Sequence, residues 1–263
     1  MASASLTPLQ PATPLRSSAL WDLQSAFYRG VGVSCWRDNQ LPFFVTSNAF
    51  VASAYARVVM GYLRDWLAAC PLPPAGPVPP SSRLHVLELG AGHGRLSYLV
   101  LRELLELWAL ERGGSGAPLP VRFVVTDVAP WGPAFWAQHE SLAPFVAAGL
   151  LDFAMFDAEA GGPLTLTVSG EVLAAGSLRA PVVALANYVF DTLRADNFRC
   201  VDGALQQAHA ALFSLDAEDA PAAPGEPLRP AAIPRLSAKW TYEPTTCVPV
   251  RPTIPWLSSL LSY

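Results

Sequence analysis

Leu84-His85-Val86-Leu87-Glu88-Leu89-Gly90-Ala91-Gly92-His93-Gly94-Arg95 is the stretch on which the fold turns. Leu84 to Leu89 is a short apolar run closed by a glycine cluster, which reads as a buried strand. Gly90, Gly92 and Gly94 make a tight turn, because glycine takes positive φ at no steric cost and lets the backbone approach a ligand. Arg95 to Arg112 then reads as a long apolar helix, stopped by Gly113-Gly114. A helix that starts there turns its free N–H groups toward the turn.

The same rhythm continues downstream. Val121 to Thr126 reads as a second strand with Asp127 at its C-terminal end, and Pro133 to Ala147 as helical with a break near Pro144. Leu151 to Phe156 is a third strand followed by Asp157. A loop through Gly161-Gly162-Pro163 leads to a weakly patterned segment, Leu164 to Leu178. Pro181 to Ala186 is a fourth strand ending at Asn187. Strands alternating with helices imply an α/β fold with a Rossmann-like, doubly wound parallel sheet. Ligands bind such sheets beyond the carboxyl ends of the strands. The glycine turn, Asp127, Asp157 and Asn187 all fall at that edge.

Upstream, residues 1–18 are rich in Ser, Ala, Pro and Thr and read as a flexible tail. Residues 19–80 read as a helical segment with a linker. Ala19 to Arg29 is a short helix, and an extended stretch runs through Phe43, Phe44 and Val45 to Thr46-Ser47. Ser47 or Asn48 caps a helix that runs to about Ala69. Its apolar face is expected at Val51, Ala54, Val58, Tyr62 and Trp66, which recur every three to four residues. Residues 71–80 (PLPPAGPVPP) hold six prolines and read as a stiff linker. The Rossmann-like domain is then residues 81–215. Within it Asn197 to Val201 and Gln207 to Phe213 pair as a hairpin across Asp202-Gly203. Residues 216–263 read as loop-rich, with a strand at Lys239 to Tyr242 and a helix start at Pro255.

Composition bounds the function. The chain has 263 residues, 52% of them hydrophobic and only 14% charged, so excess charge does not keep it unfolded. No apolar stretch approaches the roughly 20 residues of a membrane-spanning helix. A net charge of −4 argues against a nucleic-acid footprint. Cys35, Cys70, Cys200 and Cys247 form no C-x-x-C pair and have no histidine at zinc-ligand spacing, so no metal site is read from them. They read as scattered buried thiols in a reducing, intracellular compartment, with cytoplasm and mitochondrion both open. No nucleophile elbow is visible, since Ser169-Gly170 lacks the preceding glycine of G-x-S-x-G.

Two nucleotide motifs compete at the turn. A dinucleotide fold wants G-x-G-x-x-G and an acid about 20 residues on. Here the third position is Arg95, and Asp127 lies 33 residues beyond Gly94. A phosphate-binding G-x-x-x-x-G-K-[ST] loop is absent from the sequence. Glu88-Leu89-Gly90-x-Gly92-x-Gly94 resembles motif I of the class I S-adenosylmethionine (SAM) methyltransferases. The resemblance implies that the glycine turn packs against the amino-acid part of SAM, that Glu88 and Asp127 fix the cofactor, with Asp127 on the ribose hydroxyls, and that Asp157 binds the adenine amino group.

A narrower resemblance covers roughly residues 40–215. Ala186-Asn187-Tyr188-Val189-Phe190-Asp191-Thr192-Leu193, with the later Phe198 to Gly203, is similar to the N-E-x-x-D-A-L-P segment and hairpin of MidA-like methyltransferases. That family includes a mitochondrial assembly factor that methylates a protein arginine. Phe43 to Ser47 is similar to its F-x-T-S segment, which implies cofactor contacts at Thr46 and Ser47. The resemblance also implies Asn187, Tyr188 and Asp191 at the reacting group, Asp191 as proton acceptor, and a protein side-chain nitrogen as methyl acceptor. Tyr188 replaces the family's acid, and an arginine cation wants a carboxylate nearby.

The family's sheet has seven strands and only four core strands are countable here. The expectation is that the last strands are missing and that the exposed fourth strand seeks a partner chain. The alternatives are a non-catalytic interaction protein on the same fold and an NAD-dependent oxidoreductase.

Overall fold

A computed structural model of the chain describes residues 6–246 apart from 39–40, 46, 72–77, 80–81, 115, 222 and 224–225. These residues form two compact units, one from 6–31 and 190–246 and one from 32–189. Strands and helices are numbered along the whole chain.

The 32–189 unit is built on a parallel sheet. It joins β2 (Leu84–Glu88), β3 (Val121–Asp127), β4 (Leu151–Met155) and β7 (Val182–Leu185) in the order β4-β3-β2-β7. The register runs from Leu84↔Val121 to Glu88↔Val125, and Asp127 pairs with Met155. β2 and β3 are buried at every residue, so neither shows the regular polar alternation of a strand with one face in water, and the polar residues they do hold, among them His85, Glu88, Arg122 and Asp127, are buried with the rest.

Successive residues point to opposite faces of the sheet. Val86, Phe123, Val125, Phe153 and Leu185 join one core with α3 (Ala49–Ala69), α4 (Arg95–Glu111) and Trp136 of α5 (Gly132–Ala137). A further short helix, α6 (Ala143–Ala147), follows, so the expected break near Pro144 is real. The other face carries Arg122 and Asp152, paired at 2.6 Å. Over them lies a hairpin of β5 (Leu164–Thr165) and β6 (Val172–Leu173). Arg122 reaches Ser169 at 2.8 Å and Glu171 at 3.2 Å, and Asp152 accepts the N–H groups of Val168 and Ser169. The helices that join the core of this unit therefore do so on one face, and the face expected to carry the second winding carries this hairpin.

α3 begins where expected, with Asn48 Oδ1 accepting the N–H of Val51 at 3.0 Å. Its buried face differs in part from the expected one: Val51 and Trp66 pack against the core, but Ala54, Val58 and Tyr62 do not. Ala52, Ala56, Val59, Met60 and Leu63 are buried, whereas Val58 is 70% and Tyr62 42% exposed. Two stripes on this helix are apolar enough to be buried, and α4 packs on the one with the smaller residues. The stretch before it is also corrected. Phe43–Val45 is a 3-10 turn rather than extended, and a one-turn helix α2 (Ser34–Arg37) precedes it.

The other unit is antiparallel. β8 (Phe198–Val201) and β9 (Ala204–Ser214) form the expected hairpin, in register from Phe198↔Gln207 to Val201↔Ala204. Its two turn residues both have positive φ, Asp202 at 50° and Gly203 at 77°, which suits the strand twist. β10 (Leu236–Pro244) lines one edge of β9. β1 (Thr7–Pro14) pairs with β9 from Thr7↔Ser214 to Pro14↔His209, so residues expected as a flexible tail form an edge strand. Its prolines suit an edge, where a missing N–H costs no ladder bond. α1 (Ala19–Val31) follows, its first N–H bonded to Gln10 Oε1 at 2.7 Å. Arg235 clamps Asp219 through two nitrogens at 2.9 and 2.5 Å, closing the loop between β9 and β10.

Of the described cysteines only Cys35 is buried; Cys70 and Cys200 are exposed, which corrects the expectation of buried thiols. The residues after Pro255 and most of the linker lie outside the described residues. No described helix is long and apolar enough to cross a membrane.

Candidate functional site

The strand-to-helix turn after β2 is held by bonds at both ends. Ala91 N–H donates to Thr126 O, and Gly94 N–H to Ala91 O, each at 2.9 Å. Gly90, Gly92 and Gly94 all have positive φ, at 62°, 55° and 75°, where any side chain is strained. Each also faces a neighbour. A Cβ on Gly90 would sit 2.9 Å from Val189, one on Gly92 2.6 Å from the Trp36 ring, and one on Gly94 3.1 Å from the Trp136 ring. Trp136 is fully buried and donates its indole N–H to Gly92 O at 2.9 Å.

Two carboxyl groups meet at this turn. Asp127 ends β3, and its two oxygens accept the N–H groups of Gly92 and Ala129, each at 2.9 Å. A carboxylate has about four lone-pair sites, so each oxygen keeps one for another donor. Burial pushes the Asp127 carboxyl up from its ordinary value, and the backbone N–H groups of Ala129, Gly92 and Val128 oppose this. Glu88 ends β2 and is buried, with the Ser97 hydroxyl donating to it. Burial foremost, with the charge of Asp127 adding, pushes Glu88 up to about 7, while Ser97 works against them.

Asn187 follows β7 at the same end of the sheet. The hydroxyl of Tyr55, on α3, donates to its Oδ1. Tyr188 comes next with φ 51°, a left-handed value that is uncommon outside glycine, and its side chain is 68% exposed. Val189 then folds back onto Gly90. Glu88, the three glycines and Asp127 therefore come together, and the Asn187 loop is tied to the same turn through Val189.

The remaining expected residues stand as follows. Asp157 lies beyond β4 and accepts the N–H groups of Glu159 and Ala160 at 2.9 and 3.2 Å, so it caps its own loop. Ser47 is buried just before α3, and Thr46 lies outside the described residues. Asp191 sits in the 3-10 turn Phe190–Thr192, which belongs to the other unit, whereas Glu88, the glycine turn, Asp127 and Asn187 belong to 32–189. His93 is pushed down to about 4, by burial first and then by the charge of Arg95. His85 is a buried core residue, pushed down to about 4 by burial.

The sequence reading missed Ser97, Tyr55 and Trp36. Ser97 had a signal, since the first turn of a helix after a glycine turn comes back beside the strand end. Tyr55 and Trp36 had none, because each meets the turn or its loop across the fold.

No protein-family model matches the chain. A search of curated proteins likewise finds no match. Among solved structures, the chain is similar to an uncharacterized COG1565 superfamily protein from Burkholderia thailandensis, with a TM-score of 0.43 and 14% sequence identity. That likeness covers 89% of this chain and 44% of the other, so the chain spans less than half the length of that protein.

Proposed function

We propose that the chain is a SAM-dependent methyltransferase of the MidA-like type, acting on a nitrogen of a protein side chain. The observation that carries this reading is the meeting of a three-glycine turn with two buried carboxyl groups, Glu88 and Asp127, at the C-terminal edge of a parallel sheet. The donor set suits a nucleoside. Asp127 retains lone pairs for ribose hydroxyls, and the glycines of the turn put side-chain-free backbone beside it. SAM, when bound, supplies an electrophilic methyl group on a sulfonium, which needs no metal.

The chain's own residues then act by alignment. Asp127 and Glu88 orient the nucleoside at the strand ends, and the Asn187-Tyr188 loop presents the acceptor. Holding two reactants in line can contribute up to roughly 7–11 kcal/mol. Tyr55 fixes the Asn187 carbonyl, which leaves the amide N–H groups for the acceptor side. Asp157 is proposed toward the adenine, and Ser47 with Thr46 toward the cofactor, on the strength of the sequence resemblance.

The second reading is a non-catalytic interaction protein on the same fold. It is favoured by the engagement of both Asp127 oxygens with backbone N–H groups and by Tyr188 standing where the family has an acid. Calorimetric titration with SAM, S-adenosylhomocysteine and NAD separates the readings. Binding of the first two but not NAD, with methyl transfer to a lysate protein, supports the methyltransferase. SAM binding without transfer selects the interaction protein, and NAD binding alone overturns both.

A further inference from the structure

The face of Gly92 that a ligand would use holds a protein ring. A Cβ on Gly92 would meet Trp36 Cζ2 at 2.6 Å, Cε2 at 3.0 Å and Cη2 at 3.1 Å. The indole lies against His93, ring centres 5.6 Å apart, and meets Trp131 edge-on at 5.8 Å. Gly94 is covered differently, by Trp136, a fully buried core residue. Trp36 is only partly buried, and it sits on α2, a helix of four residues. Asp38 N–H donates to Ser34 O at 2.8 Å, and Cys35 Sγ to Gly32 O at 3.1 Å. Gly32, where the chain enters α2, has φ 66° and open space where a Cβ would be.

A ligand that uses the close approach at Gly92 must take the volume this ring fills. The ring covers the turn that the amino-acid and ribose parts of such a cofactor would approach, so the docked ring and a bound nucleoside exclude one another. We propose that Trp36 is a displaceable cap on the nucleoside site, and that α2 swings out about Gly32 when a nucleoside takes the ring's place. This rests on the reading of the turn as a nucleoside site. The apparent affinity is then the intrinsic one reduced by the fraction of molecules uncapped. Cys35 reports the motion, because its thiol is 1% exposed with α2 docked. Burial, with the charge of Asp127 adding, also pushes that thiol up, so a docked Cys35 reacts slowly.

The test titrates the full chain with S-adenosylhomocysteine as wild type, Trp36→Ala and Trp36→Phe, and follows alkylation of Cys35 by peptide mapping. W36A should bind at least threefold tighter than wild type, with W36F between them. Saturating ligand should speed Cys35 alkylation in the wild type at least threefold, and W36A should alkylate faster without ligand. Equal or weaker binding by a folded W36A, or Cys35 alkylation indifferent to both ligand and W36A, overturns the cap while leaving the nucleoside site intact. Should W36A fail to fold, W36F and the wild-type alkylation decide alone. Absence of binding by the folded wild type and by both variants instead overturns the nucleoside reading, and the cap with it.

Discussion

Gly92→Ala puts a methyl group 2.6 Å from the Trp36 ring at a φ of 55°. The left-handed backbone alone costs an L-residue roughly 1–2 kcal/mol, before the ring has moved. G92A should therefore lose about 2 kcal/mol of stability in thermal or urea unfolding, and a loss below 0.5 would contradict this packing. Gly149→Ala is the control, since Gly149 also has a positive φ, at 66°, but a Cβ there meets its neighbour only at 3.7 Å. Glu88 makes a prediction in pH. Burial raises it from 4.5 to about 7, so its contribution is full below pH 4.5 and is lost as pH rises through 7. His85 and His93 run the other way. Burial lowers both from 6.5 to about 4, so theirs is full above pH 6.5 and is lost as pH falls through 4. Each shift amounts to about 3 kcal/mol. Glu88→Gln removes only the alkaline loss. Relative to wild type, E88Q should gain about 2–3 kcal/mol between pH 5 and pH 8 in urea titrations, and a constant difference across that range would refute the assignment.

At the scale of elements, the β5–β6 hairpin is fastened to the sheet by charge. Burial acts to raise Asp152, but hydrogen bonds from Val168, Phe153, Ser169 and Arg122 outweigh it and hold the carboxyl below its ordinary range. Removing the guanidinium leaves that charge buried without its partner, a loss that costs about 3–5 kcal/mol. Arg122→Ala should show this in chemical denaturation, and Arg122→Ala with Asp152→Asn should recover part of it. A single-variant loss below 1 kcal/mol would mean that the hairpin is held by something else. α3 shows where pattern reading stops at this scale. Its cap at Asn48 was legible because a capping side chain and its N–H are three residues apart. Its inward face was not, because Ala54, Val58 and Tyr62 recur at helical spacing just as Ala52, Ala56 and Leu63 do. Periodicity reports that a helix has an apolar stripe; the surface of α4 chooses which stripe is buried.

At the scale of the whole molecule, the first and last strands among the described residues are partners of one central strand. β1 and β10 lie along opposite edges of β9, so deleting residues 1–14 would bare the edge of residues 209–214. Hydrogen exchange should then rise at least tenfold in 209–214 while 84–88 and 121–127 stay protected, and self-association through the open edge should increase. Unchanged exchange in 209–214 would show that β1 contributes nothing to that sheet. The four parallel strands were legible because each is a short, mostly apolar segment bounded by turn residues, and β2 and β3 are buried along their whole length. The Asp202-Gly203 turn was legible because both residues tolerate positive φ. β1 was not, since TPLQPATP has no alternation and becomes a strand only by pairing with residues some 200 positions away.

The amino-acid sequence by itself determined the strand-turn-helix around Gly90 to Gly94, the order of acids at the strand ends, and the hairpin at Asp202-Gly203. These depend on interactions among near neighbours, which spacing and residue type encode directly. Only the tertiary structure decided that Trp36 covers Gly92, that Tyr55 holds Asn187 across 132 positions, and that Ser97 reaches Glu88. Such contacts depend on the shapes of surfaces that meet once the chain has folded, and no local pattern records which surface will be opposite.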